Sequence, residues 1–207
     1  FLEMFGIKVP TYSALCKRRK KIPTTIWKNL VLETSEFENK NLIVDATGFS
    51  KTNPSYHFVK RIDRKNPIKS YSKVSFLFDL PTRKFVVLKV RMKPRHDTKD
   101  VKYLLRTISP SEKLFGDTAY DAEWIHKYCY DKNIQTIIKP RKNVKRGFYR
   151  RKQMKNYSEE KYHQRSLIES GFSSLKRKYG SSVKGKSLTS INSEISCKAI
   201  AHNLNLN

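Results

Sequence analysis

Acidic residues are scarce in this chain. Only 18 Asp plus Glu stand against 44 Lys plus Arg in 207 residues, a formal net charge of +26. A compact domain with that excess repels itself unless a polyanion neutralises it. Nucleic acid and an anionic membrane surface are the candidates. The basic residues run along the whole chain instead of lining one amphipathic helix, which favours nucleic acid. Cysteine is scarce too. Cys16, Cys129 and Cys197 are odd in number and far apart, which excludes a disulfide framework and a C-x-x-C metal knuckle. They are expected to be reduced thiols in a cytoplasmic protein. No apolar run reaches membrane-spanning length, and the strongest, residues 85–90, already contains Lys89. Neither a signal peptide nor an internal repeat is visible. The first residue is Phe1, not Met, so further residues are expected upstream.

What is present suits one domain with a small appendage, and 38% hydrophobic residues suffice for a real core. A short helix with a basic tail is expected from Tyr12 to Lys21, capped near Thr11, followed by a loose, partly extended connector over residues 24–39. Residues 42–45, Leu-Ile-Val-Asp, read as a buried strand ending in an acid and followed by a Thr-Gly turn. Residues 72–79 and 84–91 read as a hairpin turning at Pro81 and Thr82. Asp97 and Asp100 give a capping pattern for a helix through residues 101–107. Residues 113–117 form a second strand ending in an acid, then come a helix over 122–131 and a strand over 136–139. Residues 140–155 carry eight Lys or Arg without apolar periodicity and read as a basic loop. Helices over 160–179 and 187–204 close the chain. The order predicts an α/β fold, a mixed sheet flanked by helices.

Asp45 and Asp117 both end short apolar strands, where side chains of adjacent strands converge at one sheet edge. Either alone reads as a turn cap. Two such sites in so basic a chain suggest hard-cation ligands, since a polyanionic substrate approaches an acidic site only with metal present. On the helix over 160–179, Tyr162, Arg165, Glu169 and Lys176 fall within roughly 60° of one another. Ile168, Gly171, Phe172 and Leu175 lie on the adjoining, sheet-facing arc. One carboxylate among three groups suited to phosphate makes a plausible metal-and-DNA surface; ordinary boundary charges on an amphipathic helix are the alternative.

The spacing Tyr162-x2-Arg165-x3-Glu169-x6-Lys176 resembles the Y-R-E-K signature of insertion-sequence DDE transposases. Ile43–Gly48 (I-V-D-A-T-G) resembles that family's first-Asp motif, Gly116–Asp121 (G-D-T-A-Y-D) its second, and Arg95–Thr98 (R-H-D-T) a further motif between them. The resemblance runs from about Asn41 to the end. It implies an RNase H-like mixed β-sheet flanked by α-helices, with Asp45, Asp117 and Glu169 as the catalytic, metal-binding triad. Tyr162, Arg165 and Lys176 would contact DNA. Asp121 competes for the second acid, but Asp117 directly follows its strand, whereas Asp121 is expected to cap the next helix. The large β-rich insertion of some relatives is replaced here by residues 140–155 and their flanks. Residues 9–21 resemble the end of a helix-turn-helix region. Residues 1–38 thus read as the remnant of an N-terminal helical DNA-binding region plus connector, and 39–207 as the catalytic domain.

The resemblance implies metal-dependent cleavage at transposon ends and strand transfer into target DNA. Two Mg²⁺ (or Mn²⁺) ions would be held, with Asp45 bridging both, Asp117 holding one and Glu169 the other. The partners implied are terminal inverted repeats and target DNA, with a homodimer on paired ends, no membrane, and a prokaryotic, nucleoid-associated location. The alternative reading is an inactive or domesticated remnant that binds DNA without chemistry.

Overall fold

A computed structural model describes residues 10–38, 40–51, 71–93, 95–108, 111–142 and 146–206. The first residue of the helix-turn-helix-like segment and the middle of the basic segment lie outside these. Strand β1 (Asn41–Lys51) is central. It pairs antiparallel with β2 (Tyr71–Asp79), which pairs antiparallel with β3 (Phe85–Arg91). On its other side β4 (Lys113–Gly116) and β5 (Gln135–Ile138) run parallel to it. The order is β3-β2-β1-β4-β5, with the short β6 (Ser182–Val183) pairing the far end of β1. This mixed sheet flanked by helices is the RNase H-like arrangement expected.

Side-chain alternation along β1 divides the core between two faces. Leu42 and Val44 join Val101, Leu104, Leu114 and Ile125 beneath α3 (Thr98–Arg106) and α4 (Glu123–Asp131). Ile43 and Phe49 join Phe76, Phe115, Ile168, Phe172 and Ile195 on the opposite face. There lie α7 (Leu167–Tyr179) and α8 (Leu188–Leu204), together with the earlier helix α2 (Thr24–Ser35). The same alternation turns Asp45 and Thr47, between Ile43 and Phe49, toward α7. Phe172 stacks on Phe85 at 5.9 Å and tilts against Phe76 at 5.6 Å, which fixes α7 against the sheet.

Several expectations hold. Helix α1 (Tyr12–Lys21) is capped by Thr11, whose hydroxyl accepts from the Ala14 N–H, and the β2–β3 hairpin turns where expected. Others are corrected. The connector is largely helix α2. It buries Trp27 and Val31, and buried Asn203 of α8 bonds both the Val31 carbonyl and the Phe85 backbone. No turn interrupts β1 at Thr47 and Gly48, because β2 pairs with it as far as Ser50. Asp97 stands at the N-cap of α3 but its side chain makes no capping bond: it pairs with Lys73, and Asp100, in the first turn, accepts from Ser75 and Arg91. The long helix over 160–179 is broken into α6 (Glu159–His163), a 3₁₀ turn (Gln164–Ser166) and α7. At the break the Ser166 hydroxyl bonds the His163 carbonyl at 2.9 Å, a local bond of the kind that competes with the helix ladder. The basic segment contains a helix, α5 (Phe148–Met154).

Gly171 permits the close approach of α7 to the sheet, since a Cβ there would lie 2.8 Å from Cε2 of buried Phe78. Gly171→Ala gains up to about 1 kcal/mol of helix propensity in an exposed helix. Here overpacking should dominate, and urea denaturation should show a net loss of about 1–2 kcal/mol. Phe78→Leu in the same chain should recover part of it. A stabilised Gly171→Ala would show that α7 is not seated this tightly.

Candidate active site

The parallel register of β1 and β4 pairs Val44 with Gly116, so Asp45 and Asp117 stand one step beyond on neighbouring strands. Parallel neighbours are about 4.8 Å apart, which brings the two carboxylates to one edge. Each is oriented by a local backbone donor on Oδ1, from Ala46 N–H to Asp45 at 2.7 Å and from Ala119 N–H to Asp117 at 2.8 Å. The Oδ2 atoms remain for the site. Asp117 thereby caps the 3₁₀ turn Thr118–Tyr120.

Helix α7 and the turn before it bring the remaining groups. The Arg165 guanidinium bridges two acids, with Nη1 to Asp45 Oδ2 at 3.1 Å and Nη2 to Glu169 Oε1 at 2.6 Å. Glu169 is 60% exposed, whereas Asp45 and Arg165 are 17% and 19% exposed, so the cleft opens on the Glu169 side. Lys176 donates to Thr47 Oγ1 at 2.6 Å, further along the same face of β1. Tyr162 packs on the core, with Arg165 6.0 Å and Lys139 Nζ 5.4 Å from its ring. Asp45, Asp117, Glu169, Arg165 and Lys176 therefore share one edge, with Tyr162 on its rim. Thr47, the partner of Lys176, escaped the sequence reading, although its position two residues after Asp45 signals the same face.

Burial raises the Asp45 carboxyl to about 6, opposed by the Ala46 N–H and Arg165 and reinforced by Asp117 and Glu169. Burial also lowers Lys176. Three mutually repelling carboxylates are a donor set of the chemistry that a hard divalent cation requires. Arg165 is the positive charge now joining two of them. Among the described residues no three carboxylate, His or Cys side chains stand close enough together to hold a metal as they are.

Asp121 is not part of this edge, and it does not cap α4, whose N-cap position belongs to Ala122. Its carboxylate is fully buried and receives Arg150 Nε and Nη2, both at 2.7 Å, the Arg141 N–H at 2.7 Å, and His126 Nε2 at 3.1 Å. Burial alone would raise it, but these donors outweigh burial and hold it below the ordinary carboxylate range. Nothing in the linear sequence signals this network, whose members lie 5 to 29 residues apart.

The site is thus an open carboxylate edge on a mixed sheet, in a strongly basic α/β domain. The particular family is given by direct comparison. A family model of the transposase DDE domain matches residues 37–204, and the chain belongs to that family. No curated protein matches it. Among solved structures it is similar to a cryo-EM structure of the simian T-cell lymphotropic virus intasome in complex with PP2A regulatory subunit B56 gamma, at 12% identity and a TM-score of 0.40. That likeness covers 78% of this chain and 48% of the other, so the chain spans about half the length of the structure it matches. No helix among the described residues is long and apolar enough to cross a membrane.

The two neighbouring acids should separate by stability. Asp121→Asn should cost about 3–5 kcal/mol in chemical denaturation, because it strands the buried Arg150. Asp117→Asn should cost no more than about 1 kcal/mol, the scale of a cap. Because the folded pKa of Asp121 is depressed, its stabilisation is full above about pH 4, the unfolded value, and fades as pH falls through the folded one. Asp121→Asn should therefore flatten the stability–pH curve in that acidic window. Equal losses for both variants would remove the distinction.

Proposed function

We propose that this chain is the catalytic unit of an insertion-sequence transposase of the Y-R-E-K group, which cleaves DNA at the element's ends and joins them to target DNA. The observation that carries the reading is the placement of Asp45 on β1 and Asp117 directly after β4, each one step past the paired Val44 and Gly116, with Glu169 linked to Asp45 through Arg165. Residues 39–207 form the catalytic domain in this reading, and 1–38 the end of a DNA-reading region. The substrates are terminal inverted repeats and target DNA, with two protomers acting on paired ends in a prokaryotic cytoplasm, at the nucleoid.

Asp45, Asp117 and Glu169 would hold two divalent cations, Mg²⁺ or Mn²⁺, which when bound supply activation of a water or 3′-hydroxyl and stabilisation of the leaving 3′-oxygen. The chain's own groups do the rest. The N–H groups of Ala46 and Ala119 keep both aspartates aimed at the edge. Arg165 and Lys176, tethered to Glu169 and Thr47, are placed to exchange those neighbours for substrate phosphate oxygens and keep the strand in line. Tyr162 flanks Arg165 and would steady the sugar-phosphate backbone beside it.

The test is nicking of DNA carrying the inverted repeats that flank the gene, with Mg²⁺ or Mn²⁺. Asp45→Asn, Asp117→Asn and Glu169→Gln should each abolish nicking while melting temperature and DNA affinity in EDTA stay close to the parent. Arg165→Ala and Lys176→Ala should weaken capture of cleaved ends more than they weaken folding, and Tyr162→Phe should do less. Nicking that persists in Glu169→Gln would overturn the reading. A parent chain that binds the repeats but never nicks them would point instead to a DNA-binding remnant.

A further inference from the structure

The helix absent from the sequence reading, α5, is built in an unusual way. A seven-residue helix is ordinarily held by an apolar stripe. Here the buried side chains of α5 are polar, Arg150 and Gln153. Arg150 inserts into Asp121, while Gln153 accepts from the Thr136 N–H at 3.0 Å and donates to the Ile134 carbonyl at 2.9 Å, gripping the edge of β5. Its N-terminus is capped from another helix, since the Glu123 carboxylate accepts the N–H groups of Tyr149 and Arg150 at 2.9 and 3.1 Å. Gly147 precedes it at φ +121°, where a Cβ would lie 2.3 Å from that carboxylate. Three acids and amides are thus committed to holding a helix that brings no apolar side chain of its own into full burial.

That helix forms one wall of a cleft of about 620 Å³ lined by Pro140, Arg141, Lys142, Arg150, Arg151, Met154 and Lys155. The lining contains no acid. Arg150 is neutralised by Asp121, but among the described residues Arg141, Lys142, Arg151 and Lys155 have no carboxylate partner for their side chains. The Arg141 guanidinium is pinned to the Thr118 and Ala119 carbonyls, at 3.1 and 3.2 Å, in the 3₁₀ turn that Asp117 caps. The location follows from topology. Gly116 and Ile138 are paired on parallel β4 and β5, so Asp117 and Pro140 leave the sheet at the same edge.

We propose that this cleft is a second DNA-backbone groove, seating phosphates of the strand that runs off the catalytic edge, and that Arg141 couples it to the turn carrying Asp117. Four uncompensated cations around one cleft repel each other, and successive phosphodiesters of one strand relieve that repulsion. Pro140 and Met154 offer an apolar floor for sugars between the phosphates. The inference rests on the transposase reading of the edge, and the measurement below separates the two.

Binding of a labelled random-sequence duplex, followed by anisotropy in EDTA between about 50 and 200 mM salt, reads the number of phosphate contacts. Lys142→Ala with Lys155→Ala should make the slope of log K against log salt shallower by about 2. Lys99→Ala with Lys102→Ala removes the same charge from exposed positions on α3, at the other end of the sheet, and should leave the slope nearly unchanged. Gly147→Ala should act like the cleft variant, because it dislodges the wall, while circular dichroism confirms that the domain stays folded. Equal slopes for the cleft and α3 variants would overturn the proposal, since bulk charge would then explain binding. If the cleft variant shows the shallower slope while the parent shows no metal-dependent nicking, the catalytic reading fails and the groove stands.

Discussion

The structure depends on one juxtaposition, two aspartates at the same step of neighbouring parallel strands. At about 5 Å and an effective dielectric of about 20, two full charges repel by about 3 kcal/mol. The chain does not avoid that cost; it builds it into its central strand. Burial, together with Asp117 and Glu169, pushes Asp45 up to about 6 against the pull of Ala46 and Arg165. Every nearby element answers this concentration of negative charge. Ala46, within β1, and Ala119, in the turn after Asp117, aim N–H groups at Oδ1, and the turn before α7 inserts Arg165 between Asp45 and Glu169. A fold that stores like charges at an open edge stabilises any cation that arrives there, and the guanidinium is the one the chain itself supplies.

Seating α7 against the sheet is therefore a condition for the site as well as for the core. Phe172 packs on both Phe76 and Phe85, Gly171 lets the helix approach Phe78, and Ile168 is fully buried one residue before Glu169. The apolar arc fixes the rotation of the helix, and rotation decides whether Glu169 reaches the cleft. Packing and chemistry are written on adjoining faces of the same thirteen residues.

How much of this was legible depended on whether a residue's neighbours were local. The strands carrying Asp45 and leading to Asp117 showed themselves as short continuous apolar runs with the acid directly after, although β1 continues past Asp45 to Lys51. The α7 arc was legible for the same reason at helical period. The contact of Arg165 with Glu169 was within reach of spacing, whereas that with Asp45, 120 residues away, was not, because only the folded chain brings the turn before α7 to β1. Helix α2 was read as a loose, partly extended connector because Pro23 precedes it without a side-chain cap and its buried apolar residues, Trp27 and Val31, are few. Helix α5 was invisible because its inward face is Arg150 and Gln153, which periodicity counts as solvent-facing. Polar residues satisfied by distant partners defeat a hydrophobic pattern by construction.

The distribution of the few acids completes the argument. Asp121 holds Arg150, Asp100 holds Arg91, Asp97 pairs with Lys73, Glu36 with Lys84, and Glu194 receives the Lys184 and Gly185 N–H groups. Glu123 caps α5. Asp121, Asp100, Asp97 and Glu36 are each neutralised by a cation in closing a contact between elements, while Glu194 and Glu123 are satisfied there by backbone N–H groups. Asp45, Asp117 and Glu169 differ, since one guanidinium and two backbone donors leave their combined charge incompletely matched. In a chain of net charge +26 a structural role would have been met by any of the surplus lysines, as it is elsewhere. Partial neutralisation at this one edge is what a site must retain if a cation from solution is to bind there, and the surrounding excess of positive charge is what lets a polyanionic strand come close to it.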